Sequence, residues 1–322
     1  MNLHNSPDVF SELIQTTAES YSIPEIYVEK DYWVTKALKR LAESDYAGSV
    51  VFKGGTALSK AHGLIRRFSE DIDLAVRCEG LSQSQIKALL KNTETTMSVD
   101  FAYQENHARE SKHGKIRKTV HAYPTERGVE GFGQVSNHII LEINAFDTPE
   151  PSSSMEVCAL VKDLLQDRDR TDLIDEHSLS PFMLDVLSVE RTLCEKIMGL
   201  VRACHEDDAH QALRIRIRHI YDICMIMRDE THSAFVVSKE FPNLIESVRS
   251  SDLELFKDAK QWLDPPIHSA LIFSDCAKTW RKLAPEFQGD FRQMLYDDDL
   301  PNDEEVIFTF ETIGHQLSAI DS

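Results

Sequence analysis

The chain contains no run of about 18 apolar residues, which excludes a helix of the kind that crosses a bilayer. It has no Cys-x-x-Cys. Its six cysteines (Cys78, Cys158, Cys194, Cys204, Cys224, Cys276) are scattered, which argues against a zinc ribbon and against a disulfide framework. The opening "MNLHNSPDVF" lacks the basic and apolar stretches of a secretory signal, so a reduced cytoplasm is the expected setting. Positive charge is scarce: 35 Lys and Arg face 54 Asp and Glu, a net charge of −19. Bulk charge therefore does not hold this chain on nucleic acid. Glycine (12) and proline (11) are too few for a fibrous or low-complexity chain, and no internal repeat is visible. What is there is a 42% apolar chain of 322 residues, soluble and globular in composition and long enough for two domains.

Two local basic clusters stand against the acidic background. From His107 to Arg127 six cations (Arg109, Lys112, Lys115, Arg117, Lys118, Arg127) meet two glutamates. The second cluster is "RIRIRH", with Arg214, Arg216 and Arg218. The acidic run "YDDDLPNDEE" near the C-terminus reads as a solvated loop.

Periodicity divides the chain into two characters. Residues 8–20, 24–44, 56–62 and 82–97 read as helices. Short strands are expected at 49–52, 72–76, 116–123 and 138–146. The stretch "TPEPSSS" reads as a linker or long loop. Beyond about residue 183 the pattern is helical, over 183–204, 207–229, about 242–262, 278–295 and 303–318. The expected class is α+β (α/β): residues 1–165 form one domain with its N-terminal helices, and 166–322 form a helical domain that completes an active site.

The chemistry concentrates in "KGGTALSKAHGLIRRFSEDIDL", Lys53 to Leu74. On a strand, residues i and i+2 share a face, so Asp71 and Asp73 project together while Ile72 and Leu74 turn inward. Two such carboxylates repel unless a cation sits between them, and hard oxygen ligands suit Mg²⁺ or Mn²⁺. Gly54 and Gly55 lie where a strand gives way to a helix, a place where backbone N–H groups closely approach phosphate. Taken singly, each feature is also an ordinary turn or a surface acid pair; together they describe a nucleotide site. Glu142, within the apolar strand "HIILEIN", is the candidate third acid. The "EKD" run at Glu29 to Asp31 is either a solvated helix face or a brace beside the site. Arg66, Arg67 and Ser69 stand close enough before Asp71 to orient it or meet phosphates. The histidines show no metal-ligand spacing.

These residues resemble the first motif of the polymerase-β-type nucleotidyltransferases. In particular "RFSEDIDL", with "VEKDYWVTKAL", "ERTLCEKIMGL" and "RIRHIYDI", is similar to the AbiEii/AbiGii toxin family. The resemblance implies a polymerase-β-like domain with a mixed sheet, NTP as substrate and Mg²⁺ or Mn²⁺ as cofactor. It implies Lys53, Gly54, Gly55, Thr56, Ser69 and Lys196 on the nucleotide, and Asp71, Asp73 and Glu142 on metal. It makes Lys196 a triphosphate lysine and Asp222 an aspartate needed for activity. Read from spacing alone, Lys196 belongs equally to a salt-bridging face with Arg191, Glu195 and Arg202, and Asp222 to an i,i+4 pair with Arg218.

The expected activity is metal-dependent transfer of NMP from NTP to an RNA, with tRNA 3′-ends the leading acceptor, in a toxin–antitoxin or abortive-infection system. Candidate RNA contacts are Arg66, Arg67, Lys112, Lys115, Arg117, Lys118, Arg214 and Arg216. A cognate antitoxin is the implied partner; a membrane is not. Two alternatives stay open: an enzyme that AMPylates or GMPylates protein, and a non-catalytic module that binds NTP or antitoxin.

Overall fold

A computed structural model describes residues 2–69, 71–125, 136–145, 149–256 and 260–320. The chain divides into two compact units. The first comprises residues 1–63 and 68–187, the second 64–67 and 188–322.

Among the described residues, the first unit is built on an eight-stranded sheet. In chain order the strands are β1 (Val50–Lys53), β2 (Asp71–Val76), β3 (Ala102–Tyr103), β4 (Ser111–His113), β5 (Ile116–Ala122), β6 (His138–Asn144), β7 (Ser152–Val157) and β8 (Phe182–Leu187). Their order across the sheet is β3-β5-β6-β2-β1-β8-β7, with β4 beside β5. β2 runs parallel to β6 and β1 to β8; the other pairs are antiparallel, so the sheet is mixed. The central strands are apolar because both faces are covered: Val50, Val51, Phe52, Ile72, Leu74, Ile139, Leu141 and Ile143 are all buried.

Helices α1 (Pro7–Tyr21), α2 (Glu25–Ala42), α3 (Gly54–Lys60), α4 (Gln83–Met97), α5 (Leu160–Asp167) and α6 (Thr171–Glu176) complete this unit. α2 is stripe-buried through Tyr27, Val34, Ala37, Leu38 and Leu41, which follow the helical period. α4 begins at a capping box, with Ser82 and Gln85 exchanging side-chain and backbone bonds. Two segments depart from expectation. The serines of "TPEPSSS" are not a linker but enter β7, an edge strand whose outer face needs no apolar alternation. Residues 182–187 form β8 rather than the start of a helix; Leu184 and Val186 are buried while Met183 points out, a period of two. The first unit therefore continues past residue 165 through α5, α6 and β8.

The second unit is helical. Its elements are α7 (Val189–Cys204), α8 (Ala209–Ile215), α9 (Ile217–Arg228), α10 (Glu230–Val236), α11 (Glu240–Leu255), α12 (Lys260–Leu263), α13 (Leu271–Ser274), α14 (Cys276–Gln288) and α15 (Asp303–Ile320). Ser188 caps α7, accepting a bond from the Arg191 N–H. Val306, Phe310, Ile313 and Leu317 of α15 are buried at i, i+4, i+7 and i+11, the stripe that a core-facing helix requires. The span 207–229 is two helices, with Arg216 at the break. Among the described residues no helix is long and apolar enough to cross a membrane.

Candidate active site

Strand register assembles a row of charge in the first unit. Lys53 of β1 lies opposite Asp73 of β2, Asp73 opposite Glu142 of β6, and Glu142 opposite Lys118 of β5. Residues directly opposite one another share a face, so cation, acid, acid and cation follow in line across four strands. Asp71 adds a third acid on that face, two residues before Asp73. Lys118 Nζ lies 2.7 Å from Glu142 Oε2. Arg109 Nη2 lies 3.2 Å from Asp71 Oδ1.

Asp73 carries the strain of this arrangement. Burial first, then the neighbouring charges of Glu142 and Asp71, push its carboxyl up to about 7; Lys53 and Lys118 offset only part of that. Partial burial works against the Lys118 charge, but Glu142, with Asp71 and Asp73, outweighs it and holds the ammonium above its usual range.

Gly54 is the residue that lets the turn close on these acids. Its φ of +79° is a conformation that favours glycine, and a Cβ there would stand 2.2 Å from Asp73 Oδ2. The first turn of α3 thus begins against the Asp73 carboxylate, with Gly55 buried behind it. Thr56 does not offer its hydroxyl outward. Its Oγ1 lies 2.5 Å from the Asp71 carbonyl, which can only accept, and 2.9 Å from the Ser69 hydroxyl. Thr56 and Ser69 therefore tie α3 to the start of β2, while the Ser69 hydroxyl keeps its own proton to donate.

The donor set suits a hard divalent cation: three carboxylates on two adjacent strands, with no thiolate or imidazole among them. Among the described residues no three His, Cys, Asp or Glu side chains already surround one point. Arg109 and Lys118 hold two of the acids instead.

Four cations of the basic segment, Arg109, Lys112, Arg117 and Lys118, are engaged by acids. Arg117 is engaged by Glu94, Lys118 by Glu142 and Lys112 by Glu110 at 2.6 Å. Arg117 and Lys118 are thus half-buried cations already engaged by acids, and Arg127 lies outside the described residues. Arg216 pairs with Glu206 at 2.9 Å, while Arg214 is exposed. Lys115 is half-buried.

The "EKD" run is not a solvated face. Lys30 is 0% exposed and donates to the Ser136 carbonyl at 3.0 Å, with its ammonium 5.3 Å from the Phe68 ring. Asp31 accepts the Leu160 N–H at the start of α5 at 2.8 Å and engages Lys60 at the end of α3. One carboxylate thereby fixes α2, α3 and α5 together. The signal for this was absent from the sequence, because the partners lie 29 and 129 positions away.

In the second unit, Asp222 is completely buried and is held by two cations. Arg67 Nε and Nη2 reach its two oxygens at 2.7 Å each, and Lys196 Nζ stands 2.7 Å from Oδ2. Burial alone would raise this carboxyl; Arg67, then Lys196, reverse the effect and hold it well below the usual range. Neither of the spacing-based pairings holds: Lys196 is not on an exposed face, and Asp222 takes Arg67 and Lys196 rather than Arg218. Arg67 is buried, which removes it from the RNA candidates, whereas the Arg66 side chain is 72% exposed beside Asp297.

Comparison with known proteins agrees with these motifs. The family model described as "Nucleotidyl transferase AbiEii toxin, Type IV TA system" matches residues 36–308. The chain belongs to the AbiEii nucleotidyltransferase toxin family. It is accordingly a nucleotidyltransferase. Its fold is similar to that of MenT4, a nucleotidyltransferase toxin from Mycobacterium tuberculosis H37Rv, at 16% identity and TM-score 0.56, covering 96% of this chain and 94% of that one. JHP933 from Helicobacter pylori aligns at 16% identity and TM-score 0.40, covering 92% of each chain. No curated protein matches the sequence.

Proposed function

We propose that this AbiEii-family enzyme transfers NMP from an NTP to an RNA acceptor, with tRNA 3′-ends the leading substrate, in a reaction dependent on Mg²⁺ or Mn²⁺. The observation that carries the reading is the in-register row of Lys53, Asp73, Glu142 and Lys118, closed at one end by Gly54. Asp71, Asp73 and Glu142 are the residues to hold the divalent ion, which when bound would neutralise phosphate charge and favour the acceptor alkoxide. The chain's own contributions are separable. Gly54 lets the backbone approach the phosphates, and the first turn of α3 presents its N–H groups there. Lys53 and Lys118 bracket the acids and keep the site's net charge within reach of an anionic substrate. Lys118 fixes Glu142 in place, and Arg109 does the same for Asp71 until substrate enters. Thr56 and Ser69 hold the two halves of the motif at constant separation.

RNA is the acceptor class that the family context favours. The pairing of Lys112, Arg117 and Lys118 with acids limits the grip on RNA to a few phosphates, since a chain of net charge −19 supplies no general field. In this reading the chain works in the cytoplasm, paired with a cognate antitoxin.

Incubation with each labelled NTP, Mg²⁺, total RNA and a protein lysate tests both acceptor and chemistry. Label on an RNA band, lost in Asp71→Ala, is the expected result. Label on a protein band would replace RNA by protein as the acceptor. An Asp71→Ala chain with full transfer activity would overturn the assignment of the site.

A further inference from the structure

The first unit holds a cavity of about 530 Å³ that shares no lining residue with the carboxylate row. One wall is a single face of α2, on which Tyr32, Lys36, Lys39 and Arg40 recur at helical spacing. The other wall is the segment between α6 and β8, with His177, Leu179 and Phe182. We propose that this cavity is a second ligand site, for a small organic oxyanion bearing a phosphate or carboxylate group.

The concentration of cations on the α2 wall argues for an anionic occupant. On the α2 wall, Lys36 and Arg40 lean on one carboxylate, Asp100, which lies 3.4 Å from Lys36 Nζ and in direct contact with Arg40. Lys39 donates to the Ser178 and Ser180 carbonyls at 2.9 and 3.3 Å. The Lys36 side chain is only 11% exposed. Burial first, and the Arg40 charge with it, hold its ammonium below the usual lysine range in spite of Asp100. The acids of the lining, Glu43 and Asp175, are exposed, where water and salt screen them. The other wall is more closed, with Leu179 7% and His177 3% exposed.

An oxyanion suits the α2 wall. Its oxygens accept from Lys36, Lys39 and Arg40, in a partly desolvated place where such bonds are strong. The body of the molecule lies along Leu179 and Phe182. The volume is that of a ligand pocket rather than of a trapped water.

Calorimetric titration of the full chain in EDTA-containing buffer, with inorganic phosphate, AMP and citrate in turn, tests this. Removing divalent ions silences the transfer site, and the Asp71→Ala chain, whose transfer site is broken, should bind as wild type does. At least one probe should give a single saturable event. K36Q/R40Q should weaken it by about tenfold or more, and Ser180→Trp, which fills the cavity but leaves the cations, should abolish it. AMP or phosphate binding ahead of citrate assigns a phosphate ligand; the reverse order assigns a carboxylate. Absence of saturable binding by all three probes overturns the proposal, as does binding that survives both variants. Binding lost in Asp71→Ala would also overturn it, by returning the ligand to the transfer site.

Discussion

Replacing Asp73 by asparagine should make the protein more stable at pH 8 while ending its activity. The folded carboxyl sits near 7 against 3.8 for an unperturbed aspartate, because burial, Glu142 and Asp71 all oppose its charge. Between those two pH values the folded chain binds a proton that the unfolded chain has released. Stability therefore falls as pH rises from about 4 to about 7, and the penalty is complete above that window. A displacement of this size corresponds to roughly 4 kcal/mol. That displacement already includes the attraction of Lys53 and Lys118; the amide's imperfect fit among the site's hydrogen-bonding groups offsets part of it, so a net stabilisation of about 2 kcal/mol is expected. Urea unfolding at pH 4.5 and pH 8, in EDTA, measures it. The variant should gain on the wild type only at the higher pH. Added Mg²⁺ should stabilise the wild type at pH 8 and leave Asp73→Asn unmoved, since a ligand stabilises only the state that binds it. A variant less stable than wild type at pH 8, or a difference that does not change with pH, would refute the reasoning.

Gly54→Ala should lower transfer by about a hundredfold, because the added methyl must displace the Asp73 carboxylate 2.2 Å away; the φ of +79° adds about 1–2 kcal/mol of destabilisation, readable by thermal unfolding. Lys118→Met should reduce kcat by roughly 10–100-fold with the NTP KM little changed, and Lys118→Arg should restore much of it, because the residue positions Glu142 rather than gripping RNA. Thr56→Val should cost about 1 kcal/mol in urea unfolding yet leave NTP affinity intact, because its hydroxyl is turned to the Asp71 carbonyl and Ser69. Asp222→Ala should destabilise by about 3–5 kcal/mol, since it strands Arg67 and Lys196 in the interior without their shared anion.

Much of the fold was legible because its signals are local. The alternation of Asp71, Ile72, Asp73 and Leu74 marks a half-buried strand, and Gly54-Gly55 after Val50–Phe52 marks its neighbour's end. Where the chain was misread, a local signal was overridden by position in the sheet. The serines of β7 look like a linker, and they can form a strand because that strand is an edge. The Met183–Val186 alternation was present, but the helical run that follows Ser188 obscured it.

The site was legible in its acids and illegible in its cations, and the reason is physical. A metal-type carboxylate pair must share a face, so it leaves a spacing of two in the sequence. A compensating cation has no such constraint: it needs only to arrive from whichever strand lies next in the sheet. Lys118 reaches Glu142 from 24 residues away, and Arg109 reaches Asp71 from 38. Read along the chain, these cations form a basic cluster with the look of an RNA patch. Read across the sheet, each answers a particular carboxylate. Charge counted along a sequence is thus a poor guide to charge presented to a substrate, and the same holds for Arg67 and Lys196, which look like phosphate or solvent contacts and close on one buried aspartate. Any RNA bound by this enzyme would therefore meet, along this segment, cations already engaged with carboxylates rather than a free basic strip.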